Sequence, residues 1–178
     1  IRRANDISQD NGFIASPNVE KHKDDHFGTH HAHDAYELFQ TVGISPNITS
    51  SAVKVNSQYM HLIQFNLQVK EKTSVENLIN LIEENDRLAL TYKKSANQVF
   101  SFGRDHGFYG RILNQAVFPR DSIQVREKNG SYEIAGSCLT PQDGNSLLSS
   151  VSASLWLLNP ETYNKDLQCL KSYFFEEV

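Results

Sequence analysis

Residues 60 to 70, MHLIQFNLQVK, carry the clearest structural pattern of the chain. Apolar and polar side chains alternate along this stretch, with one set formed by Ile63, Phe65, Leu67 and Val69 and the other by Gln64, Asn66, Gln68 and Lys70. Successive side chains of a strand point to opposite faces of its sheet. The period of two therefore predicts a β-strand with one buried face.

Helical and strand-like patterns follow this strand in turn. Residues 73–84, TSVENLINLIEE, place apolar side chains on one stripe behind a capping box made by Thr73 and Glu76, which predicts an amphipathic helix. Residues 95–107 predict a second helix, and the Asn-Gly of KNGS, 128–131, predicts a tight hairpin. Strands joined by both hairpins and helices predict an α+β domain with a mixed, largely antiparallel sheet covered by helices on one face.

The C-terminal part of the chain is predicted to be mostly helical. Residues 147–158 are apolar and rich in helix formers, and residues 159–175 follow with Asn159 as a possible N-cap and Pro160 in the first turn. Two further helices are therefore expected there.

Composition limits the classes of protein to which the chain can belong. With 178 residues, 39% of them hydrophobic, it suits one domain, residues 1–178, with one sizeable core. Its net charge of -4 argues against attraction to nucleic acid or to an anionic membrane. The strand-like start at Ile1, without a methionine, suggests a piece of a longer polypeptide.

Cysteine usage and hydropathy indicate the compartment. The two cysteines, Cys138 and Cys169, have no CxxC spacing and suit a reducing cytoplasm. No apolar run approaches the roughly 20 residues that span a bilayer. Cys138 lies at a predicted strand end without an identified base beside it, so it is interpreted as a small buried hydrophobe.

Four of the seven histidines lie in residues 26–34, HFGTHHAHD. Imidazoles and a carboxylate are good zinc or iron ligands, but the spacing matches no zincin helix. The same segment could bind an anion, because imidazolium groups and backbone amides can converge on a phosphate where a helix begins near Asp34. The spacing argues against a metal site, so none is expected, and the residues alone leave open whether the segment binds an anion or only forms a turn.

Charge assistance for such an anion must come from elsewhere in the fold. Arg2 and Arg3 form the obvious donor pair, because guanidinium groups match phosphate oxygens two at a time, although two solvated charges at a strand end are the commoner case. His61 shares a face with the apolar residues of its strand and is either a structural residue or, if it reaches a cleft, a general base.

Taken in order, these pieces resemble the archaeal-type (type II) phosphorylating glyceraldehyde-3-phosphate dehydrogenases. RRAND, 2–6, resembles the family's Arg-Arg-Ala-Ala-Asp-Pro, and THHAHD, 29–34, resembles its Ser-His-His-Gly-Pro-Asp. NSQYMHLI, 56–63, is similar to its Pro-Thr-Thr-Leu-Met-His-Val-His strand start, and SANQVFSFGRDHGF, 95–108, to its STAELIEYARDLGR. The matches are collinear over roughly residues 1–158.

The resemblance implies the C-terminal catalytic domain of such an enzyme, with the glyceraldehyde-3-phosphate dehydrogenase-like fold. It places the N-terminal nucleotide-binding domain and the nucleophilic cysteine, in a Ser-Cys-Asn motif, upstream of Ile1. It implies NAD or NADP as cofactor, glyceraldehyde 3-phosphate and inorganic phosphate as substrates, and a cytoplasmic homotetramer. Neither cysteine of the chain matches the nucleophile.

The family's site residues carry over position by position. His61 matches the catalytic histidine, and His30 and His31 match the pair at the substrate-phosphate site. Arg2 and Arg3 match the paired arginines near phosphate and cofactor.

A cofactor-contacting glutamine matches Gln142 if the preceding loop has an insertion. The chain departs from the family at Ala32-His33, where the family has Gly-Pro, and at Ile63, where it has a second histidine.

Two other functions stay open from the residues. One is a non-catalytic module that keeps this fold for assembly or regulation, and the other is a metal-dependent hydrolase built on the histidine cluster.

Overall fold

The computed structural model describes residues 2–3, 16–17, 22–55, 60–106, 115–141 and 144–178. The chain forms two compact units, Ile1–Gln58 and Tyr59–Val178, called here the N-terminal and the C-terminal unit. The single domain expected over residues 1–178 stays a prediction.

The N-terminal unit holds a small sheet, a hairpin and a helix. The sheet contains β1 (Arg2–Arg3), β2 (Ser16–Pro17) and β5 (Val53–Val55) in the order β1-β5-β2, with β1 parallel and β2 antiparallel to β5. The hairpin pairs β3 (Lys23–Asp24) with β4 (Gly28–Thr29), and α1 (His30–Gln40) follows without a break.

The C-terminal unit is built on one five-stranded sheet. Its strands are β6 (Met60–Val69), β7 (Leu88–Thr91), β8 (Ala116–Pro119), β9 (Gln124–Lys128) and β10 (Ser131–Pro141). Their order is β6-β10-β8-β7, with β9 also paired to β10. Only β7 and β8 run parallel among the described strands of this sheet. The predicted α+β class with a mixed, largely antiparallel sheet is confirmed.

The helices of this unit are α2 (Val75–Glu83), α3 (Ala96–His106), α4 (Gly144–Leu158) and α5 (Tyr163–Leu167). Short 3₁₀ helices occupy Arg120–Ser122 and Gln168–Tyr173. Within the described part of the chain, no helix is both long and apolar enough to cross a membrane.

The helices refine the expected architecture in one respect, because they pack on both faces of the sheet. Val99 of α3 packs with Ala89 of β7, whereas Ile82 of α2 packs with Leu90, the next residue of the same strand. Adjacent strand residues point to opposite faces. The parallel strand β7 is thus covered on both sides, which explains its apolar sequence LALT.

The strand predicted from the alternation at residues 60–70 is confirmed as β6. It pairs with β10 in one unbroken antiparallel register from Met60↔Pro141 to Val69↔Tyr132. Its apolar side is only half covered, since Ile63 and Leu67 stay 45% and 49% exposed. The alternation therefore indicated the strand correctly, while the extent of its burial depends on what packs on it.

The predicted Asn-Gly hairpin joins β9 to β10. Asn129 and Gly130 both have positive φ, 53° and 76°, as a tight two-residue turn requires. Beyond the turn, the buried carboxylate of Glu133 accepts hydrogen bonds from Lys128 and Arg126, and these bonds lower its pKa. Two cations on the neighbouring strand thus stabilise a carboxylate inside the sheet.

Helix α2 begins one residue later than its capping box suggested. Ser74, not Thr73, is the N-cap, and its hydroxyl accepts a hydrogen bond from the backbone N–H of Asn77 at 3.1 Å. Ser74 has the extended backbone of a cap, φ -140° and ψ 166°. The helix itself is confirmed.

The segment predicted as one helix over 159–175 is broken. Only α5 and a 3₁₀ helix form there, and the chain then becomes extended and pairs at Glu177 with Leu90 of β7. The N–H of Leu90 donates to Glu176, and the N–H of Val178 donates to Leu90. The last residues thus hydrogen-bond to the edge strand β7 instead of continuing the helix.

Candidate functional site

The β3–β4 hairpin brings two distant histidines face to face. Lys23 pairs with Thr29, so His22 and His30 form the next cross-strand position outward. The backbone N–H of His30 donates to the carbonyl oxygen of His22 at 3.0 Å. Directly opposed residues hold their Cβ atoms about 4.5–5.5 Å apart, so the register brings the two imidazoles within contact distance of each other.

Asp24 organises the turn of this hairpin. Its carboxylate accepts hydrogen bonds from the backbone N–H groups of Phe27, at 2.8 Å, and His26, at 2.9 Å. These bonds, with a smaller contribution from the nearby His33 ring, lower the pKa of Asp24. Gly28 closes the turn with φ 82°, a backbone conformation that favours glycine.

Helix α1 starts directly at His30 and lacks a side-chain cap. The hydroxyl of Thr29, the N-cap residue, lies 2.6 Å from the hydroxyl of Ser50 and forms no capping bond. The first turn contains no acidic residue, and Ala32 is its buried anchor. The positive end of the helix dipole is therefore not neutralised by a carboxylate of its own first turn.

Three imidazoles converge at this helix start, and they are named here the histidine triad: His22, His30 and His31. Ring centroids lie 4.7 Å apart for His22 and His30, 4.2 Å for His30 and His31, and 5.3 Å for His22 and His31. One ring nitrogen from each residue lies within 4.8 Å of the other two. His22 and His30 are half-buried, whereas His31 is exposed.

The other two histidines of residues 26–34, His26 and His33, lie apart from the triad. The Nδ1 atom of His33 is 3.2 Å from the carboxylate of Asp24, and its ring stacks on Phe27 at 5.2 Å. His26 meets the edge of the same Phe27 ring at 4.6 Å. The four adjacent histidines thus divide into two that belong to the triad and two that support the hairpin.

Sequence reasoning missed His22. It lies outside the stretch 26–34, and the two-residue strands of the hairpin carry no hydrophobic alternation that could predict their pairing. The signal that could have found it is turn chemistry, since Asp24 and Gly28 are residues that favour turns and are separated by only three residues.

The other predicted site residues lie on two strands and outside the described part of the chain. Arg2 and Arg3 form β1 and pair with Lys54 and Val55, but the structure describes only their backbone. His61 is the second residue of β6, is partly buried and lies opposite Thr140 of β10. Gln142 lies outside the described residues. The roles assigned to these residues stay predictions.

Cys138 fits its interpretation as a buried hydrophobe. It is 7% exposed, lies opposite Ile63 and has its pKa raised to about 11 by burial. A thiol with so high a pKa contains little thiolate near neutrality and is a poor nucleophile. Cys169, in contrast, is exposed.

We expect the two thiols to label at very different rates in the native protein at pH 8. Because the pKa of Cys138 is raised to about 11 and its sulfur is buried, iodoacetamide should modify Cys169 first and Cys138 only after unfolding. Peptide mapping by mass spectrometry measures both sites separately. Equal labelling of the two cysteines in the folded protein would contradict the burial of Cys138.

Comparison of the chain with protein-family models and with curated proteins finds no match. Neither comparison therefore names a family for it.

Proposed function

We propose that the chain is the catalytic and oligomerisation portion of a phosphorylating aldehyde dehydrogenase that oxidises glyceraldehyde 3-phosphate with NAD or NADP. The observation that best supports this proposal is the pair His30 and His31 at the uncapped start of α1. Imidazolium N–H groups, a helix N-terminus and the absence of a first-turn carboxylate all favour a phosphate group. These are the residues that resemble the family's substrate-phosphate site.

Arg2 and Arg3 would complete the charge needed for phosphate. Guanidinium groups stay charged and bind phosphate oxygens in pairs. Arg3 would also approach the cofactor, as would Gln142.

His61 would act as the general base beside the cysteine nucleophile. The ten-residue pairing of β6 with β10 holds the backbone of His61 in a fixed position, and a site carried on a strand is more precise than one on a loop. In the proposed reaction the thiolate adds to the aldehyde, a hydride passes to the nicotinamide, and inorganic phosphate cleaves the thioester. The nucleophile and the dinucleotide domain would lie upstream of Ile1, so these 178 residues alone would be inactive.

We propose that the protein lies in the cytoplasm. We also propose that it forms a homo-oligomer, which by resemblance would be a tetramer. The half-covered apolar side of β6 and the exposed end of α4, with Trp156, Leu157 and Leu158, supply surface for contacts between copies. Neither nucleic acid nor membrane is proposed as a partner.

The same apolar surface favours the second candidate, a non-catalytic assembly or regulatory module with this fold. Activity of the full-length protein separates the two. We expect reduction of NAD or NADP that requires both glyceraldehyde 3-phosphate and inorganic phosphate. An upstream gene sequence without Ser-Cys-Asn and without a glycine-rich strand-turn-helix would rule out the dehydrogenase.

We expect His61→Ala in the full-length enzyme to lower kcat about a hundredfold with little change in KM, because removal of a general base affects the transition state more than substrate binding. Steady-state kinetics with glyceraldehyde 3-phosphate measure both constants. His106→Gln, an exposed histidine at the end of α3, is the matched control and should leave both constants unchanged. A normal kcat for His61→Ala would leave His61 with a structural role only.

A further inference from the structure

We propose that the histidine triad, His22, His30 and His31, is a binding site for one divalent transition-metal ion of the zinc type. This inference needs only the N-terminal unit and no dehydrogenase activity. It shares His30 and His31 with the proposed phosphate site and adds His22, which the phosphate proposal does not use. Of the four histidines in residues 26–34, only His30 and His31 belong to this site, because His26 and His33 contact Phe27 instead.

The distances between the ring nitrogens suit a tetrahedral ion. Bonds of about 2.0–2.1 Å from zinc to imidazole nitrogen place two ligand atoms about 3.4 Å apart. The Nδ1 atom of His22 lies 3.3 Å from Nδ1 and 3.4 Å from Nε2 of His30. This separation is long for a hydrogen bond between two nitrogens and matches the spacing of two ligands on a tetrahedral ion.

The third ligand reaches the ion through a small side-chain movement. One nitrogen of His31 already lies within 4.8 Å of the nitrogens of the other two residues. His31 is the exposed member of the triad, and its ring already lies against the rings of His22 and His30.

The first two ligands are preorganised by the backbone. The hairpin register opposes His22 to His30, and the 3.0 Å bond between their main chains fixes their spacing. Asp24 in turn holds the hairpin loop through its two backbone hydrogen bonds. The chain therefore bears little ordering cost when an ion binds.

The ligand chemistry selects the class of metal. Imidazole nitrogen suits Zn²⁺, Ni²⁺ and Cu²⁺, whereas Mg²⁺ and Ca²⁺ prefer oxygen ligands. Three histidines leave the fourth position of a tetrahedral ion open, as in zinc sites that hold an exchangeable ligand. The N-terminus of α1 carries a partial positive charge of about half an elementary charge, which disfavours a cation beside it. The same field favours an anion as the ligand in the fourth position of the ion.

Isothermal titration of the tag-free, metal-stripped 178-residue chain with ZnCl₂ in phosphate-free buffer tests the proposal. We expect one Zn²⁺ per chain, no binding of Mg²⁺, and an affinity for Zn²⁺ that falls at least about tenfold in His22→Gln and in His31→Gln. His26→Gln is the matched control, because it removes an adjacent histidine outside the triad, and it should bind Zn²⁺ as the unchanged chain does.

A second measurement keeps the test valid if a variant unfolds. Visible absorption of bound Co²⁺ reports its coordination directly, and the unchanged chain should show the intense bands of a tetrahedral ion with nitrogen ligands. Absence of Zn²⁺ binding, unchanged affinity in a folded His22→Gln chain, or an equal loss in His26→Gln would each overturn the proposal. None of these results depends on dehydrogenase activity, so the two proposals can fail separately.

Discussion

Replacing Gly28 by alanine is expected to destabilise the β3–β4 hairpin by about 3 kcal/mol or more. Part of this cost, about 1–2 kcal/mol, comes from placing a side chain at φ 82°. The rest comes from a collision, because the new Cβ atom would lie 2.3 Å from the carbonyl oxygen of Ser50. The backbone of Ser50 is held in place, because its N–H donates to the carbonyl oxygen of Phe27 at 2.9 Å. The carbonyl oxygen of Ser50 therefore cannot move away from the new Cβ atom without a cost in free energy.

Gly43→Ala is the matched control for this change. Gly43 has a nearly identical φ of 76°, but its added Cβ would meet no atom within 4 Å. The control therefore measures the backbone strain alone, and the difference between the two variants measures the collision.

Hydrogen exchange followed by mass spectrometry measures the effect locally. Amides of the hairpin and α1 should lose more than about a hundredfold of their protection in Gly28→Ala, whereas amides near Gly43 should lose about 5- to 30-fold in the control. Loss of the hairpin should also abolish Zn²⁺ binding by the histidine triad. Equal protection in both variants would show that Ser50 does not approach Gly28 as described.

Gln115→Leu is expected to destabilise the C-terminal unit by about 3 kcal/mol or more. Gln115 is only 1% exposed, and its amide nitrogen donates to the carbonyl oxygens of Leu88, at 3.0 Å, and Phe175, at 2.7 Å. Its amide oxygen accepts from the N–H of Phe175 at 2.8 Å. Leucine has nearly the same size but leaves three backbone groups without these partners.

Urea denaturation followed by the fluorescence of Trp156, the only tryptophan, measures the free energy of unfolding. Gln124→Leu makes the same chemical change at an exposed position of β9 and should change this free energy by no more than about 0.5 kcal/mol. Similar midpoints for the two variants would contradict a structural role for the buried amide.

The contrast between these residues shows what local patterns predict. The alternation of β6, the Asn129-Gly130 turn and the stripe of α2 each depend on neighbours within a few residues, and all three are confirmed. Gln115, in contrast, looks in the sequence like an ordinary polar residue at the start of a strand. Its burial depends on Phe175, 60 residues away, which no local pattern reports.

The candidate site shows the same division. The sequence by itself determined the α+β class, the strand that carries His61 and the grouping of His30 with His31, because period, turn chemistry and adjacency are local properties. Only the tertiary structure decided that His22 joins the pair, that His26 and His33 do not, and that the chain's end closes the edge of β7. Those contacts arise from strand register and from edge pairing between segments that lie apart in the sequence. The side chains of these segments show no local pattern that predicts the pairing.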